Sequence, residues 1–226
     1  IDKNKYNQIG LVFLITIIVR IGYSYLAHFI MDKFGAPTGV MNTLGQLCYA
    51  LPAAIYLVFH SEDVKSILHL RKIRIPSVLL LFVIGVLLVP VMAFVNGISL
   101  LFTSNQIAST VGDIITDNSY IYVISVMALI PALLEEFMCR GVFFGALRPA
   151  GLWISALTSG LFFGLLHLNL NQFCYALMLG VVMALIVEVT GSLFATMIIH
   201  FTINASTTTL SYLMSLMGTN ISESAN

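Results

Sequence analysis

The chain has 226 residues, of which 59% are hydrophobic and 9% charged, and its mean hydropathy is +0.99. A soluble core cannot use that much apolar side chain without exposing it, so the composition is that of a polytopic membrane protein lying in the lipid bilayer. Lys and Arg number 10 and Asp and Glu number 10, and this zero net charge gives no reason to expect phosphate binding or nucleic-acid recognition.

In chain order, a first spanning helix is expected from Gln8 to about Met31, with Arg20 in its middle either pairing inside the bundle or lining a polar cavity. It shows no small-residue cleavage signal and reads as an uncleaved helix. Asp32, Lys33, Gly35 and Pro37 form a turn, and a second helix runs from about Val40 to His60, kinked at Pro52. The connection Ser61 to Ile75 is the most basic in the chain, with Lys65, Arg71, Lys72 and Arg74 against Glu62 and Asp63. Val64, Ile67, Leu68 and Leu70 within it suggest a short helix lying at the membrane interface. A third spanning helix follows from Pro76 to Leu101, containing Pro90, and Asn105 to Asn118, acidic at Asp113 and Asp117, reads as a loop or short surface helix.

The remaining apolar segments are Ser119 to Leu147, Leu152 to Leu170, Phe173 to Val189 and Ser192 to about Met217, with a polar tail from Gly218. The expected fold is therefore an all-α integral membrane bundle of about seven spanning helices, or eight if the chain continues past Asn226. Charge asymmetry places the amino terminus, the Lys65 to Arg74 cluster and Arg148 on the cytoplasmic side of a cell membrane. Cys48, Cys139 and Cys174 lie in apolar segments without paired spacing and read as packing residues.

Ionisable groups concentrate in the last four segments. Glu135, Glu136 and Arg140 stand in the middle of an apolar helix, where charged side chains are costly and usually functional. Arg140 is four residues beyond Glu136 and on its face, while the adjacent Glu135 points about 100° away, toward a cavity. Phe163, His167 and Asn171 follow one another at intervals of four, as do His200 and Asn204, so each group shares a helical face. Either histidine alone could bond across to a neighbouring helix, and Asn204 alone could be a packing amide. Glu188 lies near a helix end and reads as a solvated interfacial group. A set of one carboxylate, two imidazoles and an amide could activate water directly or hold zinc with a bound water, although no His-Glu-x-x-His pattern is present.

The ordered set Glu135-Glu136-x-x-x-Arg140, Phe163-x-x-x-His167 and His200-x-x-x-Asn204 resembles the CPBP or Abi family of intramembrane glutamic endopeptidases, which includes type II CAAX prenyl proteases and bacteriocin-processing proteins. The resemblance covers roughly Tyr120 to Ser211. It implies an endopeptidase that uses no cofactor and forms no covalent intermediate. Glu135 would activate water with help from His167, His200 and Asn204 would stabilise the oxyanion, and Glu136, Arg140 and Phe163 would organise the site. Residues 119–217 would form a catalytic core and residues 1–104 an accessory part of one membrane domain. The implied substrate is a membrane-associated peptide or protein. A non-catalytic scaffold, immunity or regulatory protein that binds a partner membrane protein is the competing reading, and solute transport a third.

Overall fold

The computed structural model describes residues 3–60, 64–104, 107–116 and 118–218, and every regular element among them is helical. In order these are α1 (Lys3–Phe34), α2 (Thr38–Phe59), the short α3 (Val64–Leu68), α4 (Ile75–Leu100), α5 (Ile107–Thr116), α6 (Tyr120–Ala150), α7 (Leu152–Leu166), α8 (Leu170–Thr190) and α9 (Leu193–Leu216). Among the described residues five helices, α1 (from Asn4), α2, α4, α6 and α8, are long and apolar enough to cross a membrane. The other two of the seven expected segments are helical but differ. α7 has 15 residues, which at 1.5 Å each gives about 22 Å against a hydrocarbon core of about 30 Å. α9 has 24 residues but is less apolar, because Thr, Ser and Asn crowd its stretch from Thr202 to Ser211. Glu62, Asp63, Asn105, Asp117 and the polar tail after Gly218 lie outside the described residues.

α6 departs from uniform helical geometry. Ser125–Leu129 and Phe137–Phe144 are π-helical, the second stretch carrying Arg140. Such widened turns re-aim side chains relative to a regular helix and recur at functional positions. Gly141 and Gly145 make a flat strip on this helix. A Cβ on Gly145 would collide with the Ile67 carbonyl oxygen, and one on Gly141 would sit 2.9 Å from Leu68 Cδ2. The short α3 is seated on this strip, with Ile67 and Leu68 buried against α6. The residues after it are pinned as well. Leu70 forms an isolated antiparallel bridge with Ser192, Arg71 N donates to Gly191 O at 3.3 Å, and Leu193 N donates to His69 O at 2.8 Å.

α7 and α8 form a tight hairpin. A Cβ on Gly180 would lie 2.6 Å from Gly160 Cα, so the backbones approach as only small residues permit in a membrane. The turn between them decides the direction of the site. α7 ends at Leu166, His167 follows as its cap, and Leu168 adopts a left-handed conformation with φ +52°. Asn169 then caps α8, its side-chain oxygen accepting from Asn171 N at 2.9 Å. Asn171 thus begins a new helix, and the expected common face with Phe163 and His167 stops at His167.

Two further expectations change. Glu188 is not simply solvated: Arg148 Nε donates to its Oε2 at 2.6 Å and Arg148 Nη2 to its Oε1, tying the end of α6 to the end of α8. Cys139 is buried and Cys48 half-buried, but Cys174 is exposed on the bundle surface and packs nothing in. Leu79, Leu87 and Phe94 on α4 are likewise exposed, as expected of a helix whose outer face meets lipid.

Candidate active site

The most deeply buried ionic group is Glu136, fully enclosed with Arg140 in the middle of α6. Its Oε1 accepts from Arg140 Nη1 at 3.0 Å and from His200 Nδ1 at 2.8 Å. One carboxylate oxygen thus joins a guanidinium on its own helix to an imidazole on α9. Removing charges from water is costly, and this pairing supplies much of the compensation. Glu136 Oε2 and Arg140 Nε and Nη2 are buried without a hydrogen-bond partner among the described residues. Phe163 completes the arrangement. Arg140 Cζ lies 4.2 Å from its ring centroid, and the ring meets His167 edge-on at 4.9 Å and His200 at 5.9 Å. A single buried aromatic ring therefore sets the spacing of a cation and both histidines.

Because Nδ1 of His200 donates to Glu136, its Nε2 is turned to the other side, where it stands 3.9 Å from Glu135 Oε2. That separation is too long for a direct hydrogen bond and suits one bridging water. Glu135 Oε1 accepts from Tyr49 Oη at 3.3 Å, and the Glu135 side chain retains 15% exposure where that of Glu136 has none. The two adjacent carboxylates thus divide as their angular separation predicts: one locked in an ionic network, the other at a cavity.

That cavity, about 20 Å³ and roughly the space of one water molecule, is lined by Glu135, His167, Phe163, Tyr49 and Arg20, with Met138 and Leu166 closing it. His167 Nδ1 donates to the Phe163 carbonyl at 2.8 Å, which leaves Nε2 free for a ligand or proton. Arg20 does both things its position allows: its Nε donates to the Leu166 carbonyl at 3.2 Å, its guanidinium lies 4.8 Å from the Tyr49 ring centroid, and it lines the cavity. Tyr49 carries no sequence signal that separates it from other aromatic residues of an apolar helix. Arg20 does, as a charge in mid-membrane, but its partner could not be read from a single helix.

Asn204 lies one turn beyond His200 on α9, half-buried, and its side-chain amide makes no hydrogen bond among the described residues. It is not part of the cavity wall. The structure thus brings together Glu135, Glu136, Arg140, Phe163, His167 and His200, adds Tyr49 and Arg20, and leaves Asn204 adjacent. Among the described residues no three His, Cys, Asp or Glu side chains stand in an arrangement that could hold a metal ion.

Fold and site define a multi-pass α-helical membrane protein with a carboxylate, imidazole and guanidinium cluster enclosed between its helices. Residues 117–206 match the family model described as Rce1-like, type II CAAX prenyl endopeptidase, a segment that contains all three motifs and bears out their resemblance to this intramembrane protease family. No curated protein and no solved structure gives a significant match.

Proposed function

We propose that the protein is an intramembrane endopeptidase that hydrolyses a peptide bond of a membrane-associated peptide or protein with water activated by Glu135. The observation that carries this reading is the position of Glu135, on a cavity of one-water size shared with His167 and with its free oxygen directed at His200. In the proposed reaction the water oxygen bonds to the scissile carbonyl carbon while its proton passes to Glu135, aided by His167. The carbonyl π electrons move onto oxygen, whose charge is met by Asn204 and by His200 carrying protons on both ring nitrogens, Nδ1–H on Glu136 and Nε2–H on the oxygen, an effect of about 3–4 kcal/mol for one such donor. Collapse of the tetrahedral species breaks the C–N bond, and the proton held by Glu135 passes to the leaving amine. Glu136, Arg140 and Phe163 hold His200 and His167 in place rather than touching the substrate.

Residues 119–217 act here as the catalytic core, to which the amino-terminal 1–104 segment contributes Tyr49 and Arg20. The basic Lys65 to Arg74 stretch orients this core with the amino terminus on the cytoplasmic side of a cell membrane. The test is cleavage of lipid-anchored and unanchored reporter peptides by purified protein in liposomes, followed by mass spectrometry, with and without a strong chelator. Cleavage abolished in Glu135→Gln and indifferent to chelation is the expected result. Full activity in Glu135→Gln removes Glu135 from the base role, and zinc-restorable loss on chelation transfers the reaction to the metal class. If folded Glu135→Ala protein retains the cellular function, the partner-binding reading replaces the enzyme.

A further inference from the structure

Apart from the site just described, the molecule has a groove of about 590 Å³ between α4 and α8. Its volume is that of a small-molecule site. Its two ends differ in chemistry. The floor and walls are apolar, built by Leu81, Ile84, Val182, Leu185 and Ile186. Its mouth carries Arg71, Lys72 and Arg74, with the hydroxyl residues Ser77 and Thr190 just inside. No acidic side chain lines it. All three cations are exposed, and among the described residues none is engaged in an ion pair.

The basic mouth is also held in place. The Leu70 to Ser192 bridge and the bond from Arg71 N to Gly191 O fasten the strap carrying the cations to the end of α8, which forms one wall of the groove. Gly191, with φ +64°, lets that chain turn directly beneath Arg71, whose Cδ would meet an added Cβ at 3.5 Å. Cations that merely flank a spanning helix need no such anchoring, nor an apolar trough beneath them.

We propose that this groove binds one anionic phospholipid, its phosphate against Arg71, Lys72 and Arg74 and its acyl chains between α4 and α8. Charge complementarity selects that occupant. A neutral isoprenoid would fill the apolar trough but bring no counter-charge to three adjacent cations, and a zwitterionic lipid would bring its phosphate together with an ammonium that offsets it, whereas an anionic phospholipid satisfies both ends. The inference does not rest on the proteolytic reading.

Native mass spectrometry of the full chain, released from vesicles of equal parts phosphatidylglycerol and phosphatidylcholine, tests it. One phosphatidylglycerol retained per protein, with a preference of about tenfold over phosphatidylcholine, is the expected result. The combined Arg71→Gln, Lys72→Gln and Arg74→Gln variant should bring that preference to parity. Val182→Trp, which fills the trough without touching the cations, should lower retention of the bound lipid. Lys33→Gln, outside the groove, should change nothing. Equal retention of both lipids by the unaltered protein, or an unchanged preference in the triple variant, overturns the proposal. So does retention of a neutral isoprenyl-cysteine ester at least as strong as that of phosphatidylglycerol.

Discussion

Glu136 Oε1 receives His200 Nδ1 at 2.8 Å while also receiving Arg140 Nη1, so the orientation of an imidazole on α9 depends on a carboxylate with no solvent exposure on α6. Truncating Glu136 to Ala leaves Arg140 buried and unpaired and should cost about 3–5 kcal/mol of stability. Glu136→Gln keeps an acceptor oxygen and most of the shape. It should fold, melt lower than the unaltered protein and lose activity because His200 is no longer held by a charge. Thermal melting in detergent alongside peptide cleavage separates the two effects; a Glu136→Ala protein as stable as the original contradicts the ionic network.

Tyr49 offers a cleaner probe of the cavity, because its hydroxyl touches Glu135 while its ring packs in the core. Tyr49→Phe retains the packing and removes only the bond to the carboxylate. A hydrogen bond to a charged group contributes about 1.5–3 kcal/mol to stability, so the melting temperature should fall by several degrees, while cleavage per folded molecule falls by roughly tenfold because the carboxylate is no longer oriented. Unchanged kinetics would mean that Glu135 works without this donor.

Much of this site was legible because membrane burial makes polar residues conspicuous. Glu135, Glu136, Arg140, His167 and His200 stand out against their apolar segments, and helical spacing correctly pairs Glu136 with Arg140 and Phe163 with His167. Spacing fails where the helix stops. Asn171 falls four residues after His167, yet Leu168 turns into the left-handed region and starts α8 on a new axis. Partners supplied by distant helices were equally invisible: nothing local tells Tyr49 from Tyr23, and the carbonyl that Arg20 bonds is freed only because α7 ends at Leu166. The burial of α3 was hidden for a related reason. Its short amphipathic pattern fits an interface as well as it fits a groove, and only Gly141 and Gly145, more than seventy residues later, make the groove.

Those glycines give a stability prediction with an internal control. An alanine methyl at position 145 meets backbone, the Ile67 carbonyl, which cannot rotate away, whereas one at position 97 has nothing within 4 Å. Gly145→Ala should therefore destabilise by about 1–3 kcal/mol through overpacking and loosen the strap that carries the basic cluster. Gly97→Ala should leave stability the same or slightly raised, given the higher helix propensity of alanine. Equal melting temperatures for the two variants would show that α3 does not press on α6.

Glu135 and Cys139 lie on the same helix, one turn apart, and the proposed chemistry requires opposite answers from them. Cys139 has no solvent exposure, and the bond it makes is through its carbonyl, which accepts from Ser159 Oγ at 2.8 Å. Its thiol therefore serves packing alone, and Cys139→Ala should cost on the order of 1 kcal/mol of stability while activity per folded molecule stays the same. Thiol-directed and serine-directed inhibitors should be without effect, since no side chain is acylated. Glu135→Gln preserves volume and an oxygen for Tyr49 but cannot take a proton from water, so cleavage should fall by about 10²–10⁴-fold, the usual contribution of a positioned general base. Measured together on peptide cleavage in liposomes, the pair distinguishes mechanisms that each variant alone would leave open. Inactivation by a thiol reagent that is prevented by Cys139→Ala would place the chemistry on sulfur, whereas loss confined to Glu135→Gln leaves the carboxylate at the cavity as the base.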